Sequence, residues 1–160
     1  MVQRRFFPDQ SLSPGTELKP GDLSLRPAYV AALHDDAGAP DRLEIVIEGQ
    51  IRQVVYHGAH IPEDLFKVHH EEYPASGMII KMLQGSTDGG EIEETSRYSA
   101  QGELLEIIRE YHKNAVITLV EYRDGEGKLF RKDVFEYKNG QLLQVQVLDA
   151  DGKLLHVQVY

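Results

Sequence analysis

The chain has 160 residues, no cysteine and a formal net charge of −9. This length suits a single domain that buries roughly 70% of its unfolded surface. The lack of cysteine excludes disulfides and thiolate metal sites. The negative charge argues against nucleic acid as a partner, because phosphate binding needs a basic surface, but it permits a basic protein partner.

The N-terminal stretch MVQRRFFPDQ has basic residues but no apolar stretch behind them, unlike a secretory signal. Apolar runs elsewhere are only a few residues long, far short of the roughly 20 that cross a bilayer. These features predict a soluble, cytoplasmic protein without a membrane partner, and they leave its oligomeric state open.

Prolines dominate the first part of the chain, which contains Pro8, Pro14, Pro20 and Pro27. Such spacing interrupts helices and central strands alike. The pattern predicts an extended arm over residues 1–28, followed by a single domain over residues 29–160.

The stretch RLEIVIEGQIRQVVYH alternates apolar and polar residues, with Leu43, Ile45 and Ile47 on one side. This is the period of a half-buried strand. Glu48-Gly49 is either a two-residue hairpin turn or a bulge within one long strand.

The next stretch, IPEDLFKVHH, predicts one short helix near residues 62–72. Pro62 suits the first helical position, and Pro74 prevents the helix from continuing past Tyr73.

Regular glycine spacing is the strongest pattern in the sequence. Four glycines recur at intervals of 25 residues, namely Gly77, Gly102, Gly127 and Gly152. A second set of turn residues falls between them, namely Gly90, Asn114 and Gly140. A turn every 12 or 13 residues leaves strands of about eight residues, and alternation in QLLQVQVL and KLLHVQVY favours strands over helices.

The spacing therefore predicts a mainly β fold, an antiparallel β-meander of about 9–10 strands. The sheet is either strongly curved and open or closed into a barrel, which would remove its exposed edges.

Three turns share the pattern Y-x-x-x-G-x-L with an insertion or deletion of one residue. They are Tyr98–Leu104, Tyr122–Leu129 and Tyr137–Leu142. This pattern resembles the YD repeats of the RHS family, which build β-meanders from Tyr-Asp and Gly-x-Leu units. The resemblance covers residues 98–160 and implies strand–turn geometry, but no functional residue.

Four histidines fall close together, at His57, His60, His69 and His70. Imidazoles beside carboxylates could hold zinc or iron. However, adjacent His69 and His70 would point about 100° apart on a helix, and His57 and His60 lie in no ligand pattern. We therefore predict surface or partly buried histidines, with no metal and no cofactor.

Motifs for nucleophilic or phosphate chemistry are absent from the sequence. It has no G-x-S-x-G turn, and GSTDGG at residues 85–90 lacks the lysine and the helix of a phosphate loop. We interpret GSTDGG as a hairpin loop. No catalytic residue is assigned, and a non-enzymatic role is favoured.

Acidic residues are concentrated between positions 91 and 110. The candidate protein-binding residues are Glu91, Glu93, Glu94, Glu103, Glu106 and Glu110. They form either a docking surface that steers a basic protein or a solvated sheet face. The first interpretation predicts a protein-binding module, such as an acidic inhibitor or immunity-type protein with a basic partner.

A barrel that binds or acts on a small apolar ligand is the alternative function. Its interior would be lined by Phe130, Val134, Leu143, Val145, Leu155 and Val157. The same side chains could equally fill an ordinary core.

Overall fold

A computed structural model describes residues 3–34, 40–58, 62–85 and 89–160 of the chain. The helices are a 3-10 helix at Pro20–Leu25 and α1 at Leu65–Glu72. The strands are β1 Gln3–Phe7, β2 Ala28–His34, β3 Pro40–Ile47, β4 Gln50–Gly58, β5 Gly77–Gly85, β6 Glu91–Tyr98, β7 Leu104–Lys113, β8 Val116–Asp124, β9 Leu129–Lys138, β10 Gln141–Asp149 and β11 Leu154–Val159.

The strands are hydrogen-bonded in chain order from β1 to β11. The pairs from β1 to β4 and from β7 to β11 are antiparallel. This confirms the predicted mainly β meander. In the described residues β1 and β11 do not pair, so the sheet is open and the barrel alternative is wrong.

The hairpin turns follow the 25-residue spacing. Gly102, Gly127 and Gly152 each have a φ near +80° and donate a backbone hydrogen bond to the carbonyl three residues earlier. Only glycine adopts this conformation at little cost. Gly77 differs because it begins β5, where an added Cβ would lie 3.0 Å from the carbonyl oxygen of Tyr98.

Glu48-Gly49 is a two-residue hairpin turn, since both residues have positive φ and lie between β3 and β4. The bulge alternative is therefore wrong. The predicted helix is present but begins at Leu65 instead of Pro62, because the carbonyl of Pro62 closes a turn with the N–H of Leu65. Within the described part of the chain, neither helix has the length and apolar character of a membrane span.

The proline-rich segment contains more regular structure than its sequence predicts. Gln3–Phe7 pairs with β2 as an edge strand. The proline that follows it is compatible with this position, because prolines are tolerated at the edge of a sheet. Beyond it, the N–H of Leu18 donates to the carbonyl of Phe6 at 2.7 Å. The boundary at residue 28 and the single domain over residues 29–160 stay predictions.

The chain divides into two compact units. Unit 1 is Met1–Ile80 with Tyr98–Gly102, and unit 2 is Lys81–Arg97 with Glu103–Tyr160. In unit 1 one face of the sheet carries the apolar core, formed by Phe7, Val30, Ala32, Leu43 and Val55. Helix α1 covers the opposite face, where its Leu65 and His69 are buried.

Unit 2 has few buried apolar side chains, among them Val120 and Val145. Its buried residues also include two carboxylates, Glu121 and Asp133, which are held by arginines of the same sheet. The loop at residues 85–90 joins β5 to β6, but residues 86–88 of the predicted hairpin loop lie outside the described residues.

Candidate functional site

The structure separates the six predicted glutamates between the two faces of the sheet in unit 2. Side chains alternate along a strand, so Glu91 and Glu93 share one face of β6 while Glu94 lies on the other. Glu106 and Glu110 of β7 lie on the face of Glu93, as the contact between Arg97 and Glu106 indicates. Glu103 precedes β7 and is exposed.

Four of these six glutamates have a basic partner within the sheet. The pairs are Lys81–Glu93 at 3.5 Å, Arg109–Glu94 at 2.6 Å, Arg97–Glu106 at 3.1 Å and His112–Glu110 at 3.5 Å, the last being ionic only when the histidine is protonated. Nearby cations cancel much of the potential that a carboxylate projects into solvent. The predicted set is therefore a weaker electrostatic surface than its sequence suggests, because lysine and arginine partners compensate three of its six charges.

Among the described residues, the histidines at 57, 69 and 70 do not form a group of metal ligands. The buried His69 has Nδ1 at 3.0 Å from the hydroxyl of Tyr56 and Nε2 at 3.0 Å from the carbonyl oxygen of Ser76. A carbonyl only accepts, so Nε2 carries the proton and Nδ1 accepts from the tyrosine. Both nitrogens of His69 are thereby used, while His70 is exposed and His60 lies outside the described residues.

A buried polar network attaches helix α1 to the sheet of unit 1. Glu44 accepts hydrogen bonds from Arg4 and from the hydroxyl of Tyr73, the latter at 2.7 Å. Arg42 donates to Glu72 at 2.6 Å and lies over the ring of Tyr73. Each residue of this set makes at least one hydrogen bond within it, although Nε of Arg42 is buried without a partner among the described residues. The network therefore has a structural role, fixing the helix on the sheet.

Burial raises the pKa of Tyr56 to about 12, although Arg42 acts in the opposite direction. Burial and the hydrogen bond to Glu44 also raise the pKa of Tyr73. Below pH 10 the hydroxyl is neutral in the folded and the unfolded chain. Between pH 10 and pH 12 only the unfolded chain releases the proton of Tyr56, so the free energy of unfolding falls as the pH rises.

We expect Tyr56→Phe to make this fall shallower between pH 10 and pH 12, because the tyrosine that ionises on unfolding is gone. At pH 7 the variant should be less stable than the wild type by about 1 kcal/mol, since Nδ1 of His69 loses its donor. Urea unfolding at a series of pH values checks both effects. If the free energy of unfolding had the same pH dependence in both proteins, Tyr56 would not be the group that ionises on unfolding.

Unit 2 exposes three large apolar side chains at one position of the repeat. Leu105, Phe130 and Leu155 each follow a turn glycine by three residues, and they are 51%, 47% and 59% exposed. They begin alternate strands β7, β9 and β11, whose spacing is about 10 Å. We call these three residues the apolar row.

Two members of the apolar row lie at irregularities of strand pairing. Phe130 is the extra residue between the pairs Tyr122–Arg131 and Arg123–Leu129. Leu155 is the extra residue between the pairs of His156 and Leu154 with β10. A bulge redirects a side chain that alternation would place elsewhere. At these two positions a bulge, instead of regular alternation, therefore sets the direction of the exposed apolar side chain.

Charged residues surround the apolar row at the turns. The turn residues Glu126 and Asp151, with Glu103, are exposed, as are Lys128 and Lys153. Asp124 and Asp149 use one carboxylate oxygen to accept two backbone N–H groups within their own turns. This end of unit 2 therefore holds these five carboxylates and two lysines, and Arg123 adds a third cation, since its guanidinium donates to the carbonyl of Gly127 at 3.2 Å.

Sequence reasoning missed the apolar row. The sequence left open whether Phe130, Leu143 and Leu155 line a barrel interior or fill an ordinary core, but all three are exposed, so neither forms from them. The signal that marks the row is Gly-x-Leu followed by Leu or Phe, which recurs at residues 102, 127 and 152. A groove of about 480 Å³ in unit 1 lies between residues 49–52 and 72–76, and none of the predicted interior residues line it.

Comparison of the chain with protein-family models, with curated proteins and with solved structures finds no significant match. The resemblance to YD repeats therefore stays a prediction.

Proposed function

We propose that this chain is a protein-binding module that docks a basic partner through the apolar row of unit 2. The observation that carries the proposal is the exposure of Leu105, Phe130 and Leu155 at the same position of three successive repeats. Single exposed apolar residues are ordinary, but aligned ones form the apolar centre that stable interfaces need. Large side chains in such a centre commonly supply most of the binding energy.

The charge around the row supports a basic partner over an acidic one. Five carboxylates against two lysines and Arg123 leave this end of unit 2 with an excess of negative charge, in a chain whose net charge is −9. These charged residues form a rim around the apolar row. A rim with excess negative charge accelerates association with a basic protein and disfavours acidic competitors. Of the acids predicted from the sequence, Glu103 belongs to this rim.

The narrower role that we propose is that of a cytoplasmic inhibitor or immunity-type protein for a basic target. Its support is the acidic, cysteine-free composition, and it rests on analogy with such proteins. A purely binding role also accords with the structural use of the polar groups under helix α1, because Tyr56, His69 and Tyr73 are engaged with one another or with the sheet.

We expect Leu105→Ser, Phe130→Ser and Leu155→Ser together to weaken partner binding at least tenfold. Leu143→Ser is the matched control, because Leu143 is 43% exposed and follows Gly140 by three residues but lies at the opposite strand end. Tag-free immobilised protein would be incubated with lysate of the source organism, and retained proteins identified by mass spectrometry. Circular dichroism would verify folding of each variant.

The expected result is a basic protein that the wild type and Leu143→Ser retain, that the triple variant loses, and that elutes at raised salt. Retention that is equal for the wild type and the triple variant would contradict the proposal. Retention of no protein by the wild type would contradict it as well.

A further inference from the structure

Three ligand-type side chains come together in unit 2 at a place that the apolar row does not include. Glu93 lies on β6, and Glu110 and His112 lie two residues apart on β7. Alternation along β7 puts Glu110 and His112 on one face, the face that Glu93 shares. One ligand atom from each residue lies within 4.8 Å of the others.

The nitrogen Nε2 of His112 is buried and has no hydrogen-bond partner among the residues that the structure describes. Oε2 of Glu110 lies 3.5 Å from this nitrogen, but the two atoms do not form a hydrogen bond. A buried nitrogen without a partner is costly. Two ligands bound to one tetrahedral metal at about 2.1 Å lie about 3.4 Å apart, so the observed separation suits two ligands of one ion.

We propose that Glu93, Glu110 and His112 bind a divalent transition-metal ion, with Zn²⁺ as the probe ion. One imidazole nitrogen and two carboxylate oxygens suit Zn²⁺ better than Ca²⁺ or Mg²⁺, which prefer oxygen ligands alone. None of the three residues offers a thiolate or thioether, the soft ligands that select Cu⁺. The proposal is independent of the binding function of the apolar row.

Access and charge at the three residues permit a hydrated ion to enter. The three side chains are partly exposed, between 23% and 36%, so water can complete the coordination. Lys81 contacts Oε1 of Glu93 at 3.5 Å and leaves the other oxygen of that carboxylate for the metal. Two carboxylates beside one lysine carry a net charge of −1 with neutral His112, which favours a dication.

Glu94 provides a matched control on the neighbouring position of β6. Its side chain lies on the opposite face of the strand, where Arg109 contacts it at 2.6 Å. Glu94→Gln removes the same charge from the same strand but leaves the three proposed ligands intact. A non-specific loss of attraction for cations would affect Glu93→Gln and Glu94→Gln equally.

The test is equilibrium dialysis of tag-free, chelator-treated protein against ZnCl₂ at pH 7.5, with zinc measured by mass spectrometry. We expect one zinc per chain in the wild type. His112→Gln, Glu110→Gln and Glu93→Gln should each weaken binding at least tenfold, whereas Glu94→Gln should stay within about twofold of the wild type. In the assigned NMR spectrum of the wild type, zinc should shift the imidazole signals of His112.

Wild-type protein that binds no stoichiometric zinc would overturn the proposal. So would His112→Gln and Glu110→Gln proteins that bind zinc as tightly as Glu94→Gln. If those variants do not fold, the NMR titration decides, because a shift at other histidines with none at His112 assigns the metal elsewhere.

Discussion

Replacing His69 with alanine should lower the free energy of unfolding by about 3 kcal/mol. The imidazole is 5% exposed and fills the contact between α1 and the sheet of unit 1. Alanine would leave a cavity there, and it would remove the hydrogen bonds that His69 makes with the hydroxyl of Tyr56 and the carbonyl of Ser76. The cavity and the lost hydrogen bonds both weaken the contact between α1 and the sheet. The decrease in the free energy of unfolding is therefore larger than that of a surface substitution.

His70→Ala is the matched control for this prediction, since His70 is the next residue of the same helix but is exposed. It should change stability by less than about 0.5 kcal/mol. Chemical unfolding monitored by circular dichroism at pH 7 measures both variants. Equal effects of the two substitutions would show that the Tyr56–His69–Ser76 contact does not fix the helix.

Gly125→Ala should destabilise the chain by about 2–3 kcal/mol. An alanine Cβ at this position would overlap the carbonyl oxygen of Leu104, which is backbone and cannot rotate away. The turn between β8 and β9 would have to move away from the start of β7 to admit it. This cost arises from packing alone, because the φ of Gly125 is not positive.

Gly85→Ala is the control that tests whether replacing a glycine with alanine destabilises the chain even where the added methyl group has room. Among the residues that the structure describes, nothing lies within 4 Å of an added Cβ at Gly85, the last residue of β5. We expect its unfolding midpoint in urea to match or slightly exceed that of the wild type, because alanine restricts the unfolded chain. A Gly125→Ala protein as stable as Gly85→Ala would contradict the close approach of the turn to Leu104.

Much of the fold was accessible from local patterns. The glycines at 102, 127 and 152 predicted their turns because a positive φ is a property of one residue and needs no tertiary context. Edge strand β1 could not be predicted from the sequence. Its five residues, directly before Pro8, are stabilised by pairing with β2 and not by a local pattern. The start of α1 was misplaced because Pro62 suits a turn as well as a first helical residue.

The candidate site was harder to predict because it depends on register and on which face is covered. Alternation grouped Leu155 with Val157, but it could not show that Leu155 is exposed while Val157 is half-buried. The bulge at Phe130 exists only in the pairing of β9 with β8. Likewise, the arginines that pair with Glu94 and Glu106 lie on neighbouring strands. The sequence alone therefore did not show that these glutamates are paired.

The apolar row as a docking surface is the central claim, and site-specific photo-crosslinking tests it most directly. A benzophenone amino acid would replace Phe130 in one protein and Leu143 in another, followed by irradiation in lysate of the source organism. We predict a crosslink to a basic protein from position 130, competed by unlabelled wild type but not by the Leu105/Phe130/Leu155→Ser variant, and none from position 143. Crosslinking of the same protein from position 143 alone, or from neither position, would contradict the account.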